Sequence, residues 1–99
     1  MSRLTSADVV YTLQALKQPE QERAFPALAS LVAPGGKLLV ICRTREEGSE
    51  IAGPPWPLTR SQVLRFEEFG LTARAYQSFV VRDGEREIPH ARAVFVRET

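Results

Sequence analysis

The run LVAPGGKLLVI, residues 31–41, constrains this chain more than any other stretch. Its first half reads as the end of a helix. Gly35 or Gly36 can take the positive φ that closes a helix, because glycine has no Cβ to clash, and Pro34 cannot carry the helical hydrogen-bond ladder onward. Lys37 to Cys42 is then an almost unbroken apolar run, the pattern of a strand covered on both faces. Helix, glycine turn and buried strand make half of an α/β unit. No glycine precedes Gly35.

The flanking sequence fills in the order of elements. Residues 8–11, Asp8-Val9-Val10-Tyr11, read as a short strand followed by a loop or first turn over 12–17. A helix is predicted over 19–33, with Pro19 at its first position and Glu20 and Glu22 in the first turn, where carboxylates favour the helix dipole. Phe25, Leu28, Leu31 and Val32 recur at helical spacing. Pro26 should kink this helix or mark its real start. A strand over 37–43 follows. Residues 44–57 form a long loop with Gly48, Gly53 and three prolines, and Trp56 stands between Pro55 and Pro57. Thr59-Arg60-Ser61-Gln62 is a capping box opening a second helix. That helix carries Val63, Leu64, Phe66 and Phe69 as an apolar stripe and closes on Gly70, with Leu71 as the cap contact. Strands over 72–82 and 91–97 flank the turn signal Asp83-Gly84. No helix joins them, so they should pair antiparallel. The string is β-α-β-α-β-β, an α/β fold.

Composition narrows the function classes. Ninety-nine residues suit one domain, and a chain this long buries roughly 65% of its unfolded surface. The net charge is +1 with the basic residues scattered among acidic ones, which gives no electrostatic case for nucleic acid. No segment reaches the length of a membrane span. The sequence MSRLTSAD lacks the apolar core of a signal peptide, and a lone cysteine cannot make an internal disulfide. A cytoplasmic location is the expectation.

The succession of Asp8-Val9-Val10, Leu13-Gln14-Ala15-Leu16, a helix, LVAPGGKLLVICR, a Pro/Trp loop, Leu58-Thr59-Arg60, a helix ending on Phe69-Gly70-Leu71 and an antiparallel pair resembles the C-terminal half of class I S-adenosylmethionine (SAM)-dependent methyltransferases. The resemblance covers residues 7–97. It implies a partial Rossmann-like three-layer sheet of about four strands, equivalent to the fourth to seventh of that family. The implied order is fourth, fifth, seventh, sixth, with the last strand antiparallel. It also implies that the N-terminal cofactor-binding half, with its glycine-rich loop and its ribose-binding acid, has no counterpart here. The chain is then a truncated domain, or a piece of a longer one, and not active in isolation.

Several residues carry a functional and a structural reading side by side. The resemblance places Tyr11, Thr12, Leu13 and Gln14 against SAM; otherwise they are an ordinary strand-to-helix connection. It places Arg43, Arg45 and Trp56 at the methyl acceptor. Arg43 and Arg45 could grip an anion bidentately, or they are solvated charges paired with Glu46 and Glu47. Trp56 could stack on an acceptor or on the sulfonium, or it anchors its loop. Cys42, at the end of an apolar run, reads as a buried thiol. His90 reads as a loop histidine with no acid or metal partner, and metal-ligand spacing is absent. Asp83-Gly84-Glu85 reads as a turn. No general base can be named. The first strand, stripped of its family neighbour, becomes a sheet edge of the kind proteins cover or pair. The expected partner is a second copy of the chain or a separate N-terminal half, and the rival function is a non-enzymatic association module.

Overall fold

The computed structural model describes residues 3–51 and 55–98. Strand β1 (Leu4–Val10) leads through a 3-10 turn (Leu13–Ala15) into helix α1 (Gln18–Ser30). Strand β2 (Val32–Arg43) follows, then helix α2 (Arg60–Val63), which tightens into 3-10 turns over Leu64–Phe69. A hairpin of β3 (Thr72–Asp83) and β4 (Arg86–Val96) completes the chain. The strands form one sheet in the order β1-β2-β4-β3. β1 runs parallel to β2, and β4 runs antiparallel to both β2 and β3. This is the expected order, with the expected antiparallel last strand.

Local chemistry explains most boundaries. Pro19 lies in the first turn of α1, where a missing N–H costs nothing, and the Glu20 carboxylate accepts the Lys17 N–H at 2.9 Å. Pro26 is carried inside the helix. The capping box is in place: the Thr59 hydroxyl accepts the Gln62 N–H, and the Gln62 side-chain oxygen accepts the Thr59 N–H at 2.8 Å. Gly70 closes the second helical segment at φ 88° with Leu71 buried beside it. Asp83 and Arg86 pair across the hairpin turn, where Gly84 has φ 64°.

The glycine pair does something other than expected. α1 ends at Ser30, and β2 has begun by Val32, so Pro34-Gly35-Gly36 lies within the strand. There it forms an irregularity: Leu4 pairs with Val32, yet Ser6 pairs with Lys37. Gly35 takes φ 77°, and its N–H donates to the Arg97 carbonyl at 2.7 Å. A Cβ on Gly36 would lie 2.8 Å from the Ala33 carbonyl oxygen and 3.0 Å from that of Leu4. Glycine is needed there for close backbone approach. The end of α1 is satisfied by a distant cation instead. Arg97 donates to the Ala29 carbonyl in the last turn of α1 at 2.6 Å and to the Val32 carbonyl at the start of β2 at 2.7 Å, placing a cation where it complements the helix dipole.

One core lies between the sheet and the helices. Phe25 of α1, Phe66 of the second helical segment and Phe95 of β4 are wholly buried, with successive ring centroids 4.9 and 5.1 Å apart, spacings favoured by aromatic pairs. Val9, Leu38, Val40, Cys42 and Ala93 complete it from the strands. Both helical segments pack on this face and on each other. Strand alternation puts Val10, Leu39, Ile41 and Val94 on the opposite face, where they are half-buried or exposed. Among the described residues no helix covers that face, so the chain supplies two of the three layers of a doubly covered sheet. The outer edge of β1 likewise has no strand beside it among these residues.

Candidate functional site

Parallel strands in α/β sheets present ligands at their carboxyl ends, where the connecting loops diverge. Here that end gathers three segments: the turn after β1, the long loop after β2, and the hairpin end where β3 finishes and β4 begins. Cross-strand register sets Arg43 opposite His90, and His90 opposite Phe79. Tyr11, just past β1, donates its N–H to the Ile41 carbonyl at 2.7 Å. Tyr11, Gln14, Arg43, Arg82 and His90 thereby line one cleft of about 410 Å³.

Tyr11 has φ 58° and is the one non-glycine residue with positive φ among those described. A bulky side chain is seldom found there, and such outliers cluster at ligand sites. Tyr11 is 43% exposed. Thr12 is exposed beside it, its hydroxyl donating to the Val10 carbonyl at 3.4 Å. Leu13 and Gln14 turn inward. Leu13 is fully buried in the core, and Gln14 is 8% exposed.

Gln14 and Gln21 staple the loops together. The Gln14 side-chain oxygen accepts the Arg43 N–H, and its carbonyl accepts the Trp56 N–H at 2.6 Å. The Gln21 amide donates to the Leu13 carbonyl at 2.9 Å and to the Trp56 carbonyl at 3.0 Å. Two buried glutamines therefore hold the connection after β1, the end of β2 and the distal part of the 44–57 loop in one frame. Sequence reading missed this role. The available signal was positional: Gln14 stands beside Leu13, and Gln21 stands four positions before Phe25 on the same helix face, where a polar side chain needs a buried partner.

Arg45 closes the loop. It donates to the Pro57 carbonyl at 3.1 Å and to the Ser49 carbonyl at 2.8 Å. The expected ion pairs of Arg43 and Arg45 with Glu46 and Glu47 are not formed among the described residues. Glu47 instead accepts from the Ser61 hydroxyl at 2.7 Å and the Ser61 N–H at 3.0 Å, and these bonds hold its carboxyl below the usual range. Arg43 and Arg45 line a second cleft of about 260 Å³ with Ile51, Pro57 and Pro89. Trp56 is half-buried, held through its backbone, and lines neither cleft. Gly53 and Pro54 of this loop lie outside the described residues.

His90 is a correction. It lies within β4 and is 4% exposed. Its ring stacks on Phe79 at 5.2 Å and meets Tyr11 edge-on at 5.4 Å. Pro89 obscured it, because proline is rare inside sheets. β2 stops at Arg43, opposite His90, so Pro89 lies just past the end of the β2 ladder. Cys42 is buried as expected, and burial pushes its thiol up to about 12. Burial also raises the Tyr76 phenol. Among the described residues no cluster of His, Cys, Asp and Glu could hold a metal, and no helix is long and apolar enough to cross a membrane.

No family model and no curated protein sequence matches this chain. Solved structures do. A SAM-dependent methyltransferase from Methanosarcina mazei superposes with a TM-score of 0.76 at 12% identity, over 98% of this chain and 60% of that one. The N-methyltransferase NodS from Bradyrhizobium japonicum gives 0.73 at 16% identity, over 100% and 53%. It also matches in its complex with S-adenosylhomocysteine (SAH), at a TM-score of 0.70. TehB from Haemophilus influenzae gives 0.75 at 7% identity, over 100% and 37%. The chain thus has the fold of about half of a class I SAM-dependent methyltransferase and spans 60% or less of the length of these proteins.

Proposed function

We propose that this chain is the C-terminal half of a SAM-dependent methyltransferase domain, contributing one flank of the cofactor site and the floor of the acceptor site. The observation that carries this reading is the convergence of Tyr11, Gln14, Arg43 and His90 at the carboxyl end of two parallel strands, in a fold that matches methyltransferases along its whole length. SAM would supply an electrophilic methyl group on a sulfonium. The residues present fit one side of such a ligand: the exposed Tyr11 ring offers a face to a cation or an adenine, and Thr12 offers a hydroxyl. The inward turn of Leu13 and Gln14 makes them supports of this edge, fixing where Tyr11 and Thr12 stand. Arg43 and Arg45 serve the acceptor side, and Trp56 holds the loop that carries it. The chemistry asked of these residues is mainly positioning of donor and acceptor.

The other flank would be supplied at the β1 edge, by a second copy or by an N-terminal half. The uncovered sheet face with Val10, Leu39, Ile41 and Val94 supports this, since sheets with parallel strands are stable when both faces are covered. A cytoplasmic setting suits the reduced thiol. The second reading, an association module without catalysis, draws on the same edge and face. Calorimetric titration of the concentrated chain with SAH separates the two. Saturable binding in the micromolar to millimolar range supports the methyltransferase reading, whereas no heat at millimolar ligand leaves the association module.

A further inference from the structure

We propose that His90 is the hydrogen-bond and proton acceptor for a flat aromatic substrate carrying an N–H or O–H group, bound in the cleft between Tyr11 and the β3–β4 hairpin. The inference rests on the methyl-transfer reading above and names its acceptor chemistry.

Three observations meet at this ring. First, its tautomer is set. Nδ1 lies 2.8 Å from the Ile88 carbonyl oxygen, which can only accept, so Nδ1 carries a proton and in the neutral ring the lone pair is on Nε2. Second, that lone pair is open. Nε2 has no hydrogen-bond partner among the described residues, and none of their side-chain nitrogens or oxygens is both buried and unpartnered; the nitrogen is therefore not fully sealed, in a residue that is 4% exposed and lines two neighbouring clefts. Third, two aromatic rings flank it, in a cleft otherwise lined largely by Gln14, Arg43, Arg82 and Asp83. Phe79, which lines the neighbouring cleft, stacks on the imidazole and Tyr11 stands edge-on to it, while both residues remain more than a third exposed. An aromatic molecule entering here finds a ring to stack on and one acceptor nitrogen in a fixed direction. The cleft's 410 Å³ falls in the range of small-molecule sites.

Methyl transfer to such a substrate needs somewhere for a proton to go. The substrate's nitrogen or oxygen forms the bond to the methyl carbon while the carbon–sulfur bond breaks, its electron pair passing to sulfur to leave SAH. The substrate's proton moves to His90 Nε2 and from the imidazolium to solvent. The Nδ1–H bond to Ile88 holds the ring in register throughout, as a base must be held.

His90 is the chain's single histidine, so its ring nitrogens are an unambiguous reporter in a long-range ¹H–¹⁵N spectrum. The probes are phenol and aniline, with anisole as the ring that lacks a donor. The expected spectrum shows the Nδ1–H tautomer. Phenol and aniline should then shift Nε2 saturably together with the Tyr11 and Phe79 ring signals, and anisole should move the rings alone. His90→Phe keeps the stacking surface; it should weaken phenol binding at least fivefold and leave anisole unchanged. An Nε2–H tautomer in the unmodified protein overturns the assignment whether or not the variant folds, as does an Nε2 signal indifferent to phenol. SAH binding with an indifferent His90 rejects this assignment and keeps the methyltransferase reading. Phenol binding at His90 without SAH binding keeps the site and rejects methyl transfer.

Discussion

Replacing Gln21 tests whether the two-glutamine frame holds the site together. Gln21 is 4% exposed, and its amide donates to the Leu13 and Trp56 carbonyls. Gln21→Leu keeps a side chain of similar length and removes both bonds. The Leu13 carbonyl lies in the core but keeps the Leu16 N–H at 3.1 Å, so losing the second donor costs about 1 kcal/mol. The Trp56 carbonyl is only part-buried and can recover water, so its loss is set at roughly 1 kcal/mol. The sum is about 2 kcal/mol, a sizeable part of the roughly 5–15 kcal/mol that stabilises an ordinary domain. Since each kcal/mol moves the midpoint of a domain this size by about 4–8 °C, Tm should fall by roughly 10 °C. Trp56 is the single tryptophan, so urea unfolding can be followed at the loop by fluorescence and globally by far-UV circular dichroism. The variant should lose stability with an unchanged m value, and its native emission should shift to the red. Gln21→Glu sharpens the test: an ionised carboxylate cannot donate and would face two carbonyls, so it should be worse than leucine at pH 7 and improve on acidification. A loss under about 0.5 kcal/mol for Gln21→Leu, the scale of an ordinary surface change, would refute the staple.

Other consequences are as direct. Gly36→Ala forces a Cβ against three backbone carbonyls, whereas Gly35→Ala meets nothing and bears only the positive φ; urea titrations should show a loss of about 1–2 kcal/mol at Gly35 and a larger one at Gly36. Cys42 should resist alkylation at pH 8 in the folded protein and react at once in denaturant. Its folded pKa is raised from 9.0 to about 12, so the stability tied to the neutral thiol is intact below pH 9 and is lost as pH rises from 9 towards 12; a flat stability profile across that window would contradict its burial. Val10 is 45% exposed on the edge strand, and Val10→Lys should weaken self-association in sedimentation while leaving Tm unchanged; a chain that is already a monomer at micromolar concentration argues against the second-copy partner.

How far the sequence could be read depended on the range of the interaction. The Thr59–Gln62 capping box, the Gly70 closure and the Asp83-Gly84 turn are local, and each stands where it was expected. The sheet order came with the family resemblance, since nothing in 99 residues of local pattern dictates that β4 inserts between β2 and β3. Gly35-Gly36 reads as a helix stop because a proline–glycine pair after a helical stretch has the right local chemistry for one. What decides the matter is the approach of the β1 backbone and the reach of Arg97 to the end of α1, neither of which is encoded nearby. His90 was lost for a related reason: Pro89 makes a strand look broken unless one knows that β2 has already ended beside it. The stapling role of Gln14 and Gln21 depends on Trp56, 35 positions beyond Gln21 and further still from Gln14.

The central claim, that this fold presents one flank of a SAM site at the carboxyl end of β1, is tested most directly by mapping SAH onto the protein's backbone amides with ¹H–¹⁵N spectra at millimolar ligand. The account predicts saturable shifts concentrated at Tyr11 and Thr12 and fading towards the β3–β4 turn. Amides that stay still, or shifts gathered elsewhere on the sheet, would contradict it.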